Sequence, residues 1–226
     1  MKHCYFLFLT FLFLACGNLE EPNLGKQEFG EVSDIEGNKY LTVKIGNQVW
    51  MAENLKTSTY SDGSPIPQLT SNSAWGRPTN SPEVFKPGWS YFQNNASNNL
   101  FHGKLYNWFA ISGPKNCCPD GWSVPTRSDF EELLNSVGTG EDGTRKLKKE
   151  GVIWPQSDLA SNKSGFSAFP SGYRNNGGSF EAMGIMSIFW TSNPSPIGIM
   201  LFSNVKTPSF GSYIKEFGLS VRCIKK

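Results

Sequence analysis

Five cysteines, one histidine beyond the N-terminus and a small carboxylate cluster are the groups in this 226-residue chain from which chemistry could be built. The cysteines are Cys4, Cys16, Cys117, Cys118 and Cys223. His3 lies in a leader-like segment, which leaves His102 alone, so neither a histidine-based triad nor a multi-histidine metal site can be assembled. Asp129, Glu131 and Glu132 fall where a helix should begin, and the helix dipole favours carboxylates there. They read as helix-start charges, not as an acid–base pair. The adjacent Cys117-Cys118 lacks the CxxC spacing of a redox site, and a disulfide between neighbours is strained. No GxSxG, HExxH, phosphate-loop or dinucleotide fingerprint occurs. The expectation is no catalytic residues, no metal and no cofactor.

Binding is the other chemistry on offer. Aromatic residues make up 14% of the chain, and several sit in a long polar stretch from Tyr60 to Asn99. Long ordered loops of this kind are uncommon and often functional. Trp75, Trp89, Tyr91 and Phe92 precede an amide-rich run that includes Asn94 and Asn95. Flat apolar faces edged by hydrogen-bonding amides are what a sugar-binding surface requires. The same rings could instead pin the loop to the body of the domain, because buried aromatics dominate core energetics. Both readings stand on sequence. A net charge of +2 without a long basic run leaves no electrostatic footprint for nucleic acid.

The elements that must position these groups are legible in places. In the stretch from Cys118 to Leu134, Pro119-Asp120-Gly121 is turn chemistry, and Pro125 holds Val124 extended. Thr126 is placed to cap a helix, with Asp129 reaching back in a capping box. Phe130, Leu133, Leu134 and Val137 then form one apolar stripe. Upstream, Lys39 to Ile45 alternates, putting Leu41, Val43 and Ile45 on one face and Tyr40, Thr42 and Lys44 on the other. Gly46-Asn47 predicts a two-residue hairpin turn with glycine first, returning through Gln48 to Met51, and Gly37-Asn38 an earlier turn of that kind. Leu105, Trp108 and Phe109 predict a short helix over Gly103–Ile111. Glu141 to Glu150 is simply charged. Short strands are expected at Ile188–Thr191, Ile199–Phe202 and Leu219–Ile224, the last with Leu219, Val221 and Cys223 facing inward. Arg174 and Arg222 are expected to bond carbonyls or Asp120.

The N-terminus reads as an export signal. Lys2 and His3 precede a run of Phe and Leu too short to span a bilayer, and Phe13-Leu14-Ala15-Cys16 resembles a bacterial lipobox. Cys16 would then carry lipid and anchor the protein to a membrane. The expected organisation is a signal peptide over 1–15, a polar tether over 16–30 and one domain over 31–226. Glu21-Pro22-Asn23 spells a calcium-lectin tripeptide, but a tether cannot preorganise ligands around calcium.

Several motifs together resemble the Fibrobacter succinogenes major paralogous domain family. They are Trp50-Met51-Ala52-Glu53-Asn54-Leu55, Gly103-Lys104-Leu105-Tyr106-Asn107-Trp108, the Cys118–Thr126 stretch, Gly165–Arg174, Phe189-Trp190-Thr191-Ser192 and Gly218–Cys223. The resemblance implies an exported surface or outer-membrane lipoprotein without assigned catalytic residues. It also implies an α+β, C-type-lectin-like domain of short antiparallel strands, two or three short helices and long loops, similar to formylglycine-generating enzymes. Cys118 and Cys223 match the family's cysteines, which implies a disulfide between them and leaves Cys117 free. Copper-dependent formylglycine chemistry needs two reactive cysteines together, and that bridge removes one. The expected function is non-catalytic binding or adhesion, to a glycan or an envelope protein. The alternatives are a structural envelope component without a ligand, or an enzyme of the formylglycine-generating type.

Overall fold

Gly46 and Asn47 make the tight turn that the flanking alternation demands, with Ile45 facing Gln48 and Gly46 at φ +59°. The computed structural model describes residues 24–76, 86–151, 153–155, 160–204 and 207–226. The chain opens with an antiparallel meander of β1 (Glu28–Ser33), β2 (Lys39–Ile45) and β3 (Gln48–Met51). β1 starts inside the stretch expected to be tether, pairing Glu28, Phe29 and Gly30 with Lys44, Val43 and Thr42. Its side chains are almost all exposed, so no apolar pattern announced it. The Gly37-Asn38 turn also differs from expectation. Asp34 accepts from the N–H groups of Glu36 and Asn38, both at 3.0 Å, and so builds a longer connection over residues 34–38.

The long excursion that follows carries only short elements: α1 (Asn72–Trp75), β4 (Trp89–Ser90), α2 (Asn99–His102), β5 (Leu105–Tyr106) and α3 (Trp108–Ile111). The helix expected over 103–111 is therefore split. Asn107 caps α3 by accepting from the Ala110 N–H at 3.1 Å, and it also accepts from Gly88. That leaves Leu105 and Tyr106 extended to pair with Ser90 and Trp89.

β6 (Trp122–Ser123) leads into α4 (Arg127–Val137), whose capping box between Thr126 and Asp129 forms as expected. α5 (Gly140–Leu147) occupies the charged segment. Its apolar content is slight, but Glu141–Arg145 and Asp142–Lys146 ion pairs at 3.0 and 2.5 Å bridge successive turns. β7 (Ser171–Arg174), β8 (Phe180–Met183), β9 (Met186–Trp190), β10 (Ile197–Phe202), β11 (Ser209–Ser212) and β12 (Ile224–Lys225) complete the chain.

The strands form a sheet β1-β2-β3-β12-β6, a second sheet β11-β10-β9-β7-β8, and the small β4-β5 pair. Among the described strands, the pairings between named strands are antiparallel except that of β7 with β9. The first sheet is a partition. Val43, Ile45, Trp50 and Ile224 join one core with Phe130, Leu133 and Phe189. Tyr40, Met51 and Cys223 join another with Tyr106, Trp108 and Trp190. The two faces expected for β2 thus both carry buried side chains, Val43 and Ile45 on one and Tyr40 on the other. Tyr40 is fully buried, whereas Leu41 is exposed. Leu219, Val221 and Cys223 do share one core, as their alternation requires. Among the described residues, no helix is long and apolar enough to cross a membrane. The architecture is mixed α and β, with short, mostly antiparallel strands and few helices.

Candidate functional site

The disulfide forms between Cys118 and Cys223, with Cα atoms 5.9 Å apart. Local bonds set both ends. The Cys118 N–H donates to Asn116 Oδ1, and the Cys223 carbonyl accepts from the Met51 N–H in the first sheet. Pro119-Asp120-Gly121 makes the expected turn, with Gly121 at φ +73° and the Trp122 N–H returning to the Pro119 carbonyl. Cys117 is a buried free thiol, and burial pushes its pKa up to about 12. It borders a cleft of about 250 Å³ shared with Asp34, Thr59, Ser61 and Asp120. Cys16 lies outside the described residues.

The other candidate groups are occupied by structure. Asp129 Oδ2 accepts from the N–H and hydroxyl of Thr126 and from Lys226 Nζ. Glu131 pairs with Arg127 along the helix. Arg174 donates to the carbonyls of Gly178, Leu69 and Thr70, clamping the long loop against the second sheet. Arg222 donates to the Phe166 carbonyl and to Asn54. Neither arginine bonds Asp120. His102 Nδ1 stands 3.3 Å from Ser171 Oγ, and desolvation lowers its pKa. Ser171 is wholly buried and His102 half-buried.

The loop residues expected to bind ligand divide into two groups. Trp75, Trp89 and Phe92 are buried, and so cannot stack on a sugar here. Trp75 lies under the Arg174 guanidinium at 4.4 Å, Phe92 packs on Phe180 at 5.3 Å, and Trp89 Nε1 donates to the Ile66 carbonyl at 2.9 Å. These three rings pin the loop to the body. Tyr91 stays half-exposed, edge-on to Trp89 at 5.0 Å. Asn94 and Asn95 are exposed but serve the loop: Asn94 Nδ2 donates to the Thr70 carbonyl, and Asn95 Oδ1 accepts from the Ser97 N–H.

The exposed aromatic surface lies just past the loop. Leu100 and Phe101 on α2 are 65% and 59% exposed. Phe101 stacks on half-buried Phe169, with centroids 5.9 Å apart and planes 20° from parallel, and His102 meets Phe169 edge-on. Gly103 fixes where α2 ends. Its φ is +67°, and a Cβ there would come within 2.7 Å of the Leu55 carbonyl. Neither Phe101 nor Phe169 was among the expected binding residues, although a bare Leu-Phe pair after an amide run is a usable signal.

Fold and site together define a disulfide-stapled scaffold of short antiparallel strands around two aromatic cores, with a loop clamped by buried side chains. The chain belongs to the Fibrobacter succinogenes major domain family, whose model matches residues 43–225. No curated protein and no solved structure matches it.

Proposed function

We propose that this protein is an exported, lipid-anchored surface or outer-membrane protein whose domain, C-type-lectin-like in plan, binds a glycan without catalysing a reaction. The Phe13-Leu14-Ala15-Cys16 sequence supports the anchor. The lectin-like plan is favoured by strands from both ends of the domain meeting in one sheet and by the long loop held against the body. The observation that carries the binding reading is the Phe101–Phe169 stack with Leu100 beside it. Burying either side chain on α2 is worth about 1.5–3 kcal/mol, so displaying two in succession is best explained by a partner. An envelope-protein ligand is the second reading, favoured by the aliphatic Leu100 beside the ring.

Glycan arrays and pull-downs from envelope extracts, using the full chain, test the binding reading. Phe101→Ala should abolish capture in whichever assay scores, and Leu100→Ser should matter only for a protein ligand. A protein that captures nothing saturably would instead be a structural envelope component. Mass spectrometry of the N-terminal peptide from native membranes tests the anchor. An unmodified Cys16 there would refute it.

A further inference from the structure

β1 is the outermost strand of the first sheet, and among the described residues no strand pairs with its outer side. A cleft of about 570 Å³ opens between the start of that strand and the end of α4, walled by Leu24, Lys26, Glu28, Lys44, Gly46 and Ser136. Its charged side chains do not complete one another's bonds. Lys44 Nζ and Glu28 Oε2 stand 3.7 Å apart, beyond hydrogen-bond range. Lys39 and Glu31, on the same two strands, close to 3.1 Å. Lys26 has no ion pair among the described residues.

The lining defines the chemistry of an occupant. Lys26 and Lys44 offer N–H donors carrying positive charge. Glu28 offers a carboxylate, and the Ser136 hydroxyl already donates to the Glu132 carbonyl at 2.9 Å, so towards a ligand its oxygen accepts. A plain anion is opposed by Glu28, and a plain cation by the two lysines. A group that joins a phosphate to an ammonium suits both sets: the phosphate accepts from the lysines, and the ammonium donates to Glu28 and Ser136.

Position names the source of such a group. Leu24, in the cleft wall, follows Cys16 by eight residues, a stretch that reaches at most about 28 Å when fully extended. On the lipid-anchor reading above, on which this step rests, the cleft stays within that distance of the bilayer surface. Next to Glu28 on the same strand, Phe29 is 56% exposed with its ring against Gly165, an apolar side chain of the kind that enters the headgroup boundary. We infer that this cleft docks the domain onto the membrane that holds the anchor, by seating a phosphoethanolamine lipid headgroup. The headgroup phosphate meets Lys26 and Lys44, its ammonium meets Glu28 and Ser136, and Phe29 enters the interface beside it.

The test is vesicle co-sedimentation of the chain from residue 16 onward, which contains the whole described fold, carrying Cys16→Ser so that no acyl chain masks the contact. Vesicles of phosphatidylcholine alone are compared with vesicles in which part of it is replaced by phosphatidylethanolamine or by phosphatidylglycerol. Phosphatidylethanolamine should raise the affinity about tenfold, because the choline nitrogen has no N–H to donate and phosphatidylglycerol has no ammonium. Lys44→Gln should lower that affinity about tenfold, and Glu28→Gln should erase the preference for phosphatidylethanolamine. Phe29→Ser should weaken binding to every vesicle. All three side chains are exposed, and urea midpoints matching the parent's establish that the variants fold. The inference is overturned if phosphatidylethanolamine gives no gain, if phosphatidylglycerol binds more tightly, or if Lys44→Gln and Glu28→Gln bind like the parent. It is also overturned if soluble glycerophosphoethanolamine binds as tightly as the vesicles, or if the chain ignores vesicles and dimerises in a way that Phe29→Ser abolishes, which would assign the edge to a second copy. Because the tested chain is not acylated, failure here leaves the lipid anchor standing on its own test at Cys16.

Discussion

Arg222 Nη2 and Asn54 Oδ1 are joined by a 2.6 Å hydrogen bond across 168 residues of sequence. The guanidinium is buried between the rings of Phe166 and Phe189, at 4.3 and 5.0 Å, and the Asn54 amide donates onward to the His102 carbonyl and Ser171 Oγ. This pair ties the end of the first meander to the C-terminal segment and to the Phe101–Phe169 region.

Asn54→Ala should therefore destabilise the fold by about 3 kcal/mol, because it leaves a buried cation short of an acceptor and removes the donor shared by the His102 carbonyl, Ser171 Oγ and Ser220 Oγ. Urea denaturation at neutral pH measures it. A loss under about 1 kcal/mol would mean that the node is not a stabilising centre.

The Cys118–Cys223 bridge spans 105 residues. In the chain-entropy model a loop of that length contributes about 4–5 kcal/mol. Urea midpoints compared with and without a reductant should show a loss of that order, and Cys223→Ala should show the same loss without reductant.

Cys117 should be silent in the native protein. Its thiol is buried and held protonated, with a pKa of about 12, and the thiolate is the reactive form. Iodoacetamide at pH 8 should leave it unlabelled until denaturant is added. Rapid native labelling would show that the cleft beside the disulfide opens.

Asp129 should contribute to acid sensitivity. Burial works to raise its pKa, but hydrogen bonds from the Thr126 N–H, the Thr126 hydroxyl and Lys226 outweigh it, and the folded value lies below the ordinary 3.8. A depressed carboxylate stabilises the fold above its unfolded pKa, and that contribution fades as pH falls through the lower folded value. Stability should thus begin to drop below about pH 4. Asp129→Asn should flatten that drop and cost about 1 kcal/mol at neutral pH through the weakened capping box.

Much of the local structure was legible because its causes are local. A capping residue, a proline-glycine turn and a two-residue hairpin each act within a few residues, and the α4 capping box and the Gly46-Asn47 turn follow from them. α5 escaped because its support is charge pairing, not an apolar stripe. Alternation separated the two faces of β2 but could not say that both are covered, and here Tyr40 is covered as fully as Val43.

Sequence by itself determined the family, the exported-lipoprotein expectation, the cysteine match and the helix and turn signals, all of which rest on residue identity and short spacing. Only the tertiary structure decided which aromatics face water. Trp75, Trp89 and Phe92 vanish into the body, while Phe101 remains outside on Phe169. Burial depends on what the distant chain lays over each ring.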